Sequence, residues 1–145
     1  MTGHKCHIVL VTFVVSIFHI FVSFVYADTY IVDYSNNKRL YKWDGTYLIN
    51  YSNKKRLNKW DGTYIINYSN NKRLFKWDGK YLLNYSNNKR ILKWDGTYII
   101  NYSNSKRVYK IGTQYISSYS HGKRLLKING IVPIPVLVVI SAGLL

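Results

Sequence analysis

Three observations on this sequence predict a mainly β fold. Between residues 28 and 130 the chain repeats every 17 residues. Each unit holds two short runs of aromatic and β-favouring residues. Asp-Gly separates those runs, a strong signal for a two-residue hairpin. The expected architecture is a series of tandem 17-residue β-hairpin repeats forming an antiparallel meander. An N-terminal signal helix over 1–27 precedes it, and an apolar C-terminal tail over 131–145 follows. Nothing in the repeats supplies a second layer, so the sheet has to curl, stack or self-associate. Stability is expected to be marginal, because isolated hairpins barely hold in water.

The first 27 residues read as a secretory signal. Lys5 gives a positive n-region, the run from Ile8 to Tyr26 is largely apolar, and Val25 and Ala27 are small residues ahead of a cut between Ala27 and Asp28. The competing reading is an uncleaved anchor, since an apolar run of about 18 residues approaches spanning length. Cleavage removes Cys6, the one cysteine, and leaves 28–145 free of thiols. No disulfide framework or multi-Cys metal site is then possible.

The unit starting at Leu40 reads LYKWDGTYLINYSNKKR. It recurs from Leu57, Leu74 and Ile91, and a divergent copy starts at Val108. A partial copy, DTYIVDYSNNKR, opens the region, and another, LLKING, closes it. Asp44-Gly45 as the turn pair sets Trp43 opposite Thr46 and Leu40 opposite Ile49. One face then carries Leu40, Tyr47, Ile49 and Tyr51, and the other Tyr41, Trp43 and Leu48. Seventeen is odd, and a one-residue slip inverts the faces of a strand. The second connection, Ser52-Asn53-Lys54, must therefore have odd length, with its last residue in the left-handed region. Asn37, Lys54, Asn71, Asn88, Ser105 and Gly122 occupy that position. Asn and Gly suit it better than Lys54 or Ser105.

Beyond Ile131 the chain is almost wholly apolar, broken by Pro133, Pro135, Ser141 and Gly143. Fifteen residues fall short of the roughly 20 that a spanning helix needs. A spent tail or a final β-strand is the expected reading, with a lipid-anchor signal as the other.

The net charge is +15, from 21 Lys and Arg against 6 Asp, with no Glu. Every Arg follows a Lys. The pairs are Lys38-Arg39, Lys55-Arg56, Lys72-Arg73, Lys89-Arg90, Lys106-Arg107 and Lys123-Arg124. A second basic position, Lys42, Lys59, Lys76, Lys93, Lys110 and Lys127, is always Lys and never paired. The positive charge therefore gathers at the unit junctions, which argues against a nucleic-acid-binding chain. Strict Lys-Arg resembles the sites of kexin- and furin-like convertases, whose acidic subsites distinguish the Arg fork from Lys.

The whole plan resembles kexin-processed tandem-repeat secreted peptide precursors, a group that includes fungal repeat proteins and neuropeptide and mating-pheromone precursors. Symbiosis effectors of plant-associated fungi follow the same plan. The resemblance implies cleavage after each Arg, release of near-identical peptides of about 15 residues, a kexin/furin-like protease as processing partner, and an unidentified receptor or host target. The fifth unit keeps its Lys-Arg pairs although Ile111 replaces Trp and Asp-Gly is lost.

The string YSNNKRLYKWDGTYLINYS also resembles, more weakly, the YD repeats of Rhs and teneurin shells. Hairpins with aromatics beside a glycine turn are similar, more weakly still, to choline-binding cell-wall repeats. Those resemblances imply an intact β-repeat protein that binds glycans or a partner surface. A Tyr-rich structural or adhesive protein is a third expectation.

Asn50, Asn67, Asn84 and Asn101 each head an N-glycosylation sequon. Trp43, Trp60, Trp77 and Trp94 could stack on sugars or pack across strands. His121 stands alone beyond the signal, so neither a His-based metal site nor a catalytic triad is expected. The expected protein is secreted, without enzymatic activity or cofactor, and meets membrane only through its signal or its tail.

Overall fold

Our computed structural model describes residues 29–145; the signal segment, with Ala27 and Asp28, lies outside the described residues. Among them, twelve strands run in sequence as an antiparallel meander that closes on itself. β1 is Thr29–Asp33, β2 Arg39–Trp43, β3 Tyr47–Asn50, β4 Arg56–Trp60, β5 Tyr64–Asn67 and β6 Arg73–Trp77. β7 is Tyr81–Asn84, β8 Arg90–Trp94, β9 Tyr98–Asn101, β10 Arg107–Ile111, β11 Tyr115–Ser118 and β12 Arg124–Asn129. β1 pairs with β12, Ile31 lying opposite Ile128. The two partial copies at the ends of the repeat region are thus two halves of one sixth hairpin. The meander curls, and ring closure leaves no open edge strand.

The hairpin register differs from the expected one. Trp43 lies opposite Leu48 and Lys42 opposite Ile49, so Gly45-Thr46 form the two-residue turn. Gly45 has φ 98°, and Thr46 does not share its positive φ, the sign pattern of a II′ turn with glycine first. Asp44 organises the turn from outside it. Its Oδ1 accepts the backbone N–H of Thr46 at 3.0 Å and of Tyr47 at 2.7 Å. Moving the turn by one residue moves each partner by two, so the two faces survive the change.

The second connection also departs from expectation. Asn50 N–H donates to the Lys55 carbonyl, and Lys54 N–H returns to that of Asn50, which encloses four residues rather than three. The odd residue sits instead at Leu57. Leu48 pairs with Asn58, but Ile49 pairs with Arg56, which leaves a bulge between them. The left-handed positions fall where the sequence places them, from Asn37 at φ 57° to Gly122 at φ 63°. Lys54 adopts φ 60° there, with its ammonium 3.7 Å from the Tyr51 ring centre.

Inward positions form rows around the barrel. Leu48, Ile65, Leu82, Ile99 and Ile116 are each at most 2% exposed. Eight strands make a barrel that side chains alone can fill, and twelve enclose more space than that. The C-terminal residues fill the difference, which corrects the expectation of a spent tail or final strand. Residues Ile134–Ser141 form helix α1, and Pro135 to Ile140 are all buried. Six consecutive buried residues cover more than one turn, so α1 has no solvent face. It joins Ile31, Trp43, Leu82, Leu92 and Ile128 in one core. No helix among the described residues is long and apolar enough to cross a membrane.

Candidate functional site

Strand direction sorts the chemistry by rim. Each even-numbered strand begins after a Lys and ends before a Gly-bearing turn. All six Lys-Arg pairs therefore gather at one rim, and Asp44, Asp61, Asp78 and Asp95 at the other. The outer wall between the rims carries Tyr47, Ile49, Arg56 and Lys59 of each unit, with Tyr47 opposite Lys59 and Ile49 opposite Arg56.

On this wall every Arg is clasped by two tyrosines from neighbouring strands. The Arg56 guanidinium carbon lies 4.2 Å from the Tyr47 ring centre and 5.5 Å from that of Tyr68. Arg56 Nη1 donates to Tyr68 Oη at 3.4 Å. The two rings meet edge to face at 5.5 Å. This is the geometry that ring quadrupoles favour both for aromatic pairs and for cations. The hydrogen bond to Tyr68 raises the Arg56 pKa, and its counterparts do the same at Arg73, Arg90 and Arg107. The bond from Arg39 lowers the Tyr51 pKa.

The arrangement repeats six times. Arg39 sits between Tyr30 and Tyr51, Arg73 between Tyr64 and Tyr85, Arg90 between Tyr81 and Tyr102, and Arg107 between Tyr98 and Tyr119. The sixth clasp, Tyr115, Arg124 and Tyr34, crosses the seam where the chain ends meet. Sequence reasoning missed it. The available signal was that three positions, two Tyr and one Arg, stay identical in every unit, including the divergent fifth.

The other candidate residues fall elsewhere. Lys38, Lys55, Lys72, Lys89, Lys106 and Lys123 are exposed at the basic rim. Lys55 enters the turn through its backbone N–H, which donates to Asn53 Oδ1 at 3.0 Å. Trp43 is 5% exposed, and Trp60, Trp77 and Trp94 are half-buried against the core. They line the lumen, and the exposed aromatic surface is tyrosine. The sequon residues Asn50, Asn67, Asn84 and Asn101 cap the turns that follow them. Asn50 Oδ1 accepts Ser52 N–H at 3.0 Å and Ser52 Oγ–H at 2.7 Å. The backbone N–H groups of Tyr98 and Thr97 hold Asp95 below the usual carboxylate range. At Asp61 desolvation pushes upward, but the same two bonds from Tyr64 and Thr63 leave its pKa lowered.

The lumen has a crevice lined by Trp43, Asn58, Trp60, Val136 and Leu145, with space of about 10 Å³. That is about the size of one water. Among the described residues there is no cluster of three or more His, Cys, Asp or Glu able to hold a metal. Comparison with protein-family models, curated proteins and solved structures gave no match.

Proposed function

We propose that the chain is secreted and works intact, as a plugged barrel whose outer wall binds a glycan or a partner surface. One observation carries this reading: the Arg of every Lys-Arg pair is built into the wall. Each is clasped between two tyrosines and opens a strand that is paired on both sides. A convertase needs its substrate extended and free of other pairing. The peptide bond after Arg56 lies at the bulge of β4, held between β3 and β5. Cutting there requires the ring to open. The clasps also give a reason for Arg at these positions that needs no protease.

A second reading, release of signalling or effector peptides by a kexin/furin-like protease, draws on the exposed Lys of each pair. The clasps give no reason for Lys there. On that reading, cleavage has to precede ring closure. Mass spectrometry of the native secretions separates the two. The expected result is a single intact species spanning 28–145. Peptides beginning at Leu57, Leu74 or Ile91 and ending before the next Lys-Arg would establish the precursor instead.

A further inference from the structure

We propose that the partner of the outer wall is a linear acidic polysaccharide, laid around the barrel across the six units. This rests on the intact-barrel reading above. The first support is the lysines. Two lysines recur in every unit, as at Lys55 and Lys59, and neither belongs to a Tyr-Arg-Tyr clasp. Lys55 is exposed at the rim, and Lys59 lies on the wall opposite Tyr47. These lysines stand in addition to the six clasped arginines, so the wall carries more positive charge than the clasps alone contain.

The second support is spacing. Units recur about every 10 Å around the barrel, twice the distance between strands. Lys55, Arg56 and Lys59 of one unit descend from the rim along β4, so the wall is a lattice of cations. The Tyr, Arg and Lys positions of this face are the same in every unit, which suits a ligand that is itself a repeat. Opposite charge enters the lattice at one place, Asp33 on the basic rim, whose backbone N–H donates to the Lys38 carbonyl; Asp44, Asp61, Asp78 and Asp95 lie in the turns of the far rim, tied to backbone N–H groups.

The third support separates sugar acids from nucleic acid. Single strands are held largely by bases stacking on open aromatic faces. Here the face of Tyr47 is covered by Arg56 at 4.2 Å, and Tyr64, Tyr81, Tyr98 and Tyr115 are covered in the same way; the second ring of the clasp, such as Tyr68, is more exposed but has the same guanidinium 5.5 Å from its centre and bonded to its hydroxyl. The exposed members of the clasps, the Arg and a second Tyr such as Tyr68, carry guanidinium and phenol groups that hydrogen-bond carboxylates and hydroxyls. The guanidinium is already fixed by its two rings, so binding spends little further side-chain entropy.

The test uses the purified chain with polygalacturonate, dextran sulfate, neutral dextran and single-stranded DNA as probes. The two acidic polysaccharides are expected to bind, and to be released as salt rises from about 0.05 M to about 0.5 M, as screening of exposed charges requires. Neutral dextran should not bind. The variant Lys59→Gln/Lys76→Gln/Lys93→Gln removes three wall cations outside the clasps. It should weaken binding about tenfold, at a few tenths of a kcal/mol or more per charge, and leave the melting temperature unchanged.

Equal binding of neutral dextran, DNA binding as tight as that of the polysaccharides, or an unaltered affinity in the triple variant would each overturn the proposal. An intact secreted chain that binds none of the probes overturns it too, and leaves the intact-barrel reading standing. Peptide fragments in the secretions would remove that reading itself.

Discussion

The two faces of the barrel wall follow opposite rules. Outside, each clasp is built from the same residues six times, Tyr47-Arg56-Tyr68 and its five counterparts. Inside, the row that begins at Tyr41 continues as Asn58, Phe75, Leu92, Tyr109 and Leu126. The tryptophan row ends in Ile111 and Ile128. Buried positions are usually the more constrained, and here these two inward rows vary more than the exposed clasps do. The reason is symmetry. Each unit's outer wall meets the same neighbour, so one solution serves six times. The lumen holds a single helix, whose sides differ, so each unit meets a different surface and needs its own filling.

This contrast ranks the consequences of substitution. The largest loss is expected inside. Leu82→Ala, at a fully buried position, should cost about 2–5 kcal/mol as a cavity opens against the core, read as a fall in the denaturant midpoint. A loss below about 1 kcal/mol would mean that the helix and wall are loosely packed. An intermediate effect is expected outside. Arg73→Lys keeps the charge but loses the planar fork, and should lower the melting temperature by a few degrees. The neighbouring Lys72→Gln should leave it unchanged. Equal effects of the two would dissolve the distinction between clasped and unclasped cations.

The smallest effect concerns the turns of the acidic rim. Asp61 and Asp95 have lowered pKa values in the folded chain, so the unfolded chain takes up protons first as the pH falls. Their contribution is whole above about pH 5. It fades as the pH drops through folded values that lie below 3.8. Asp61→Asn/Asp95→Asn keeps the accepting oxygen and removes the titration. Its denaturation midpoint should change less between pH 7 and pH 3 than that of the parent chain.

The local features of the fold were legible in the sequence, and the closed ring was not. The 17-residue period, the assignment of Leu48 and Tyr47 to opposite faces and the left-handed residue of each second turn follow from spacing and turn chemistry. The odd residue per unit was also required by parity, although a bulge at Leu57 supplies it where a three-residue loop was expected. The turn centre moved because the Asp44 carboxylate accepts two backbone N–H groups from beside the turn, a bond that the dipeptide Asp-Gly does not announce. Five of the six clasps join residues 21 apart, such as Tyr47 and Tyr68, and the sixth joins Tyr115 to Tyr34 across the seam; each forms only once three strands are in register. The tail gave no sign of its place, because a helix that is apolar on every side has no period to read.

Because the first strand pairs with the twelfth, half of the closing hairpin is made before the ten strands between them and half after. The helix that fills the lumen is made later still. Until then the growing chain is a ribbon with a free edge and a bare apolar face. Ring closure must therefore wait until β12 and α1 have both been made, so the barrel cannot be completed strand by strand as the chain emerges.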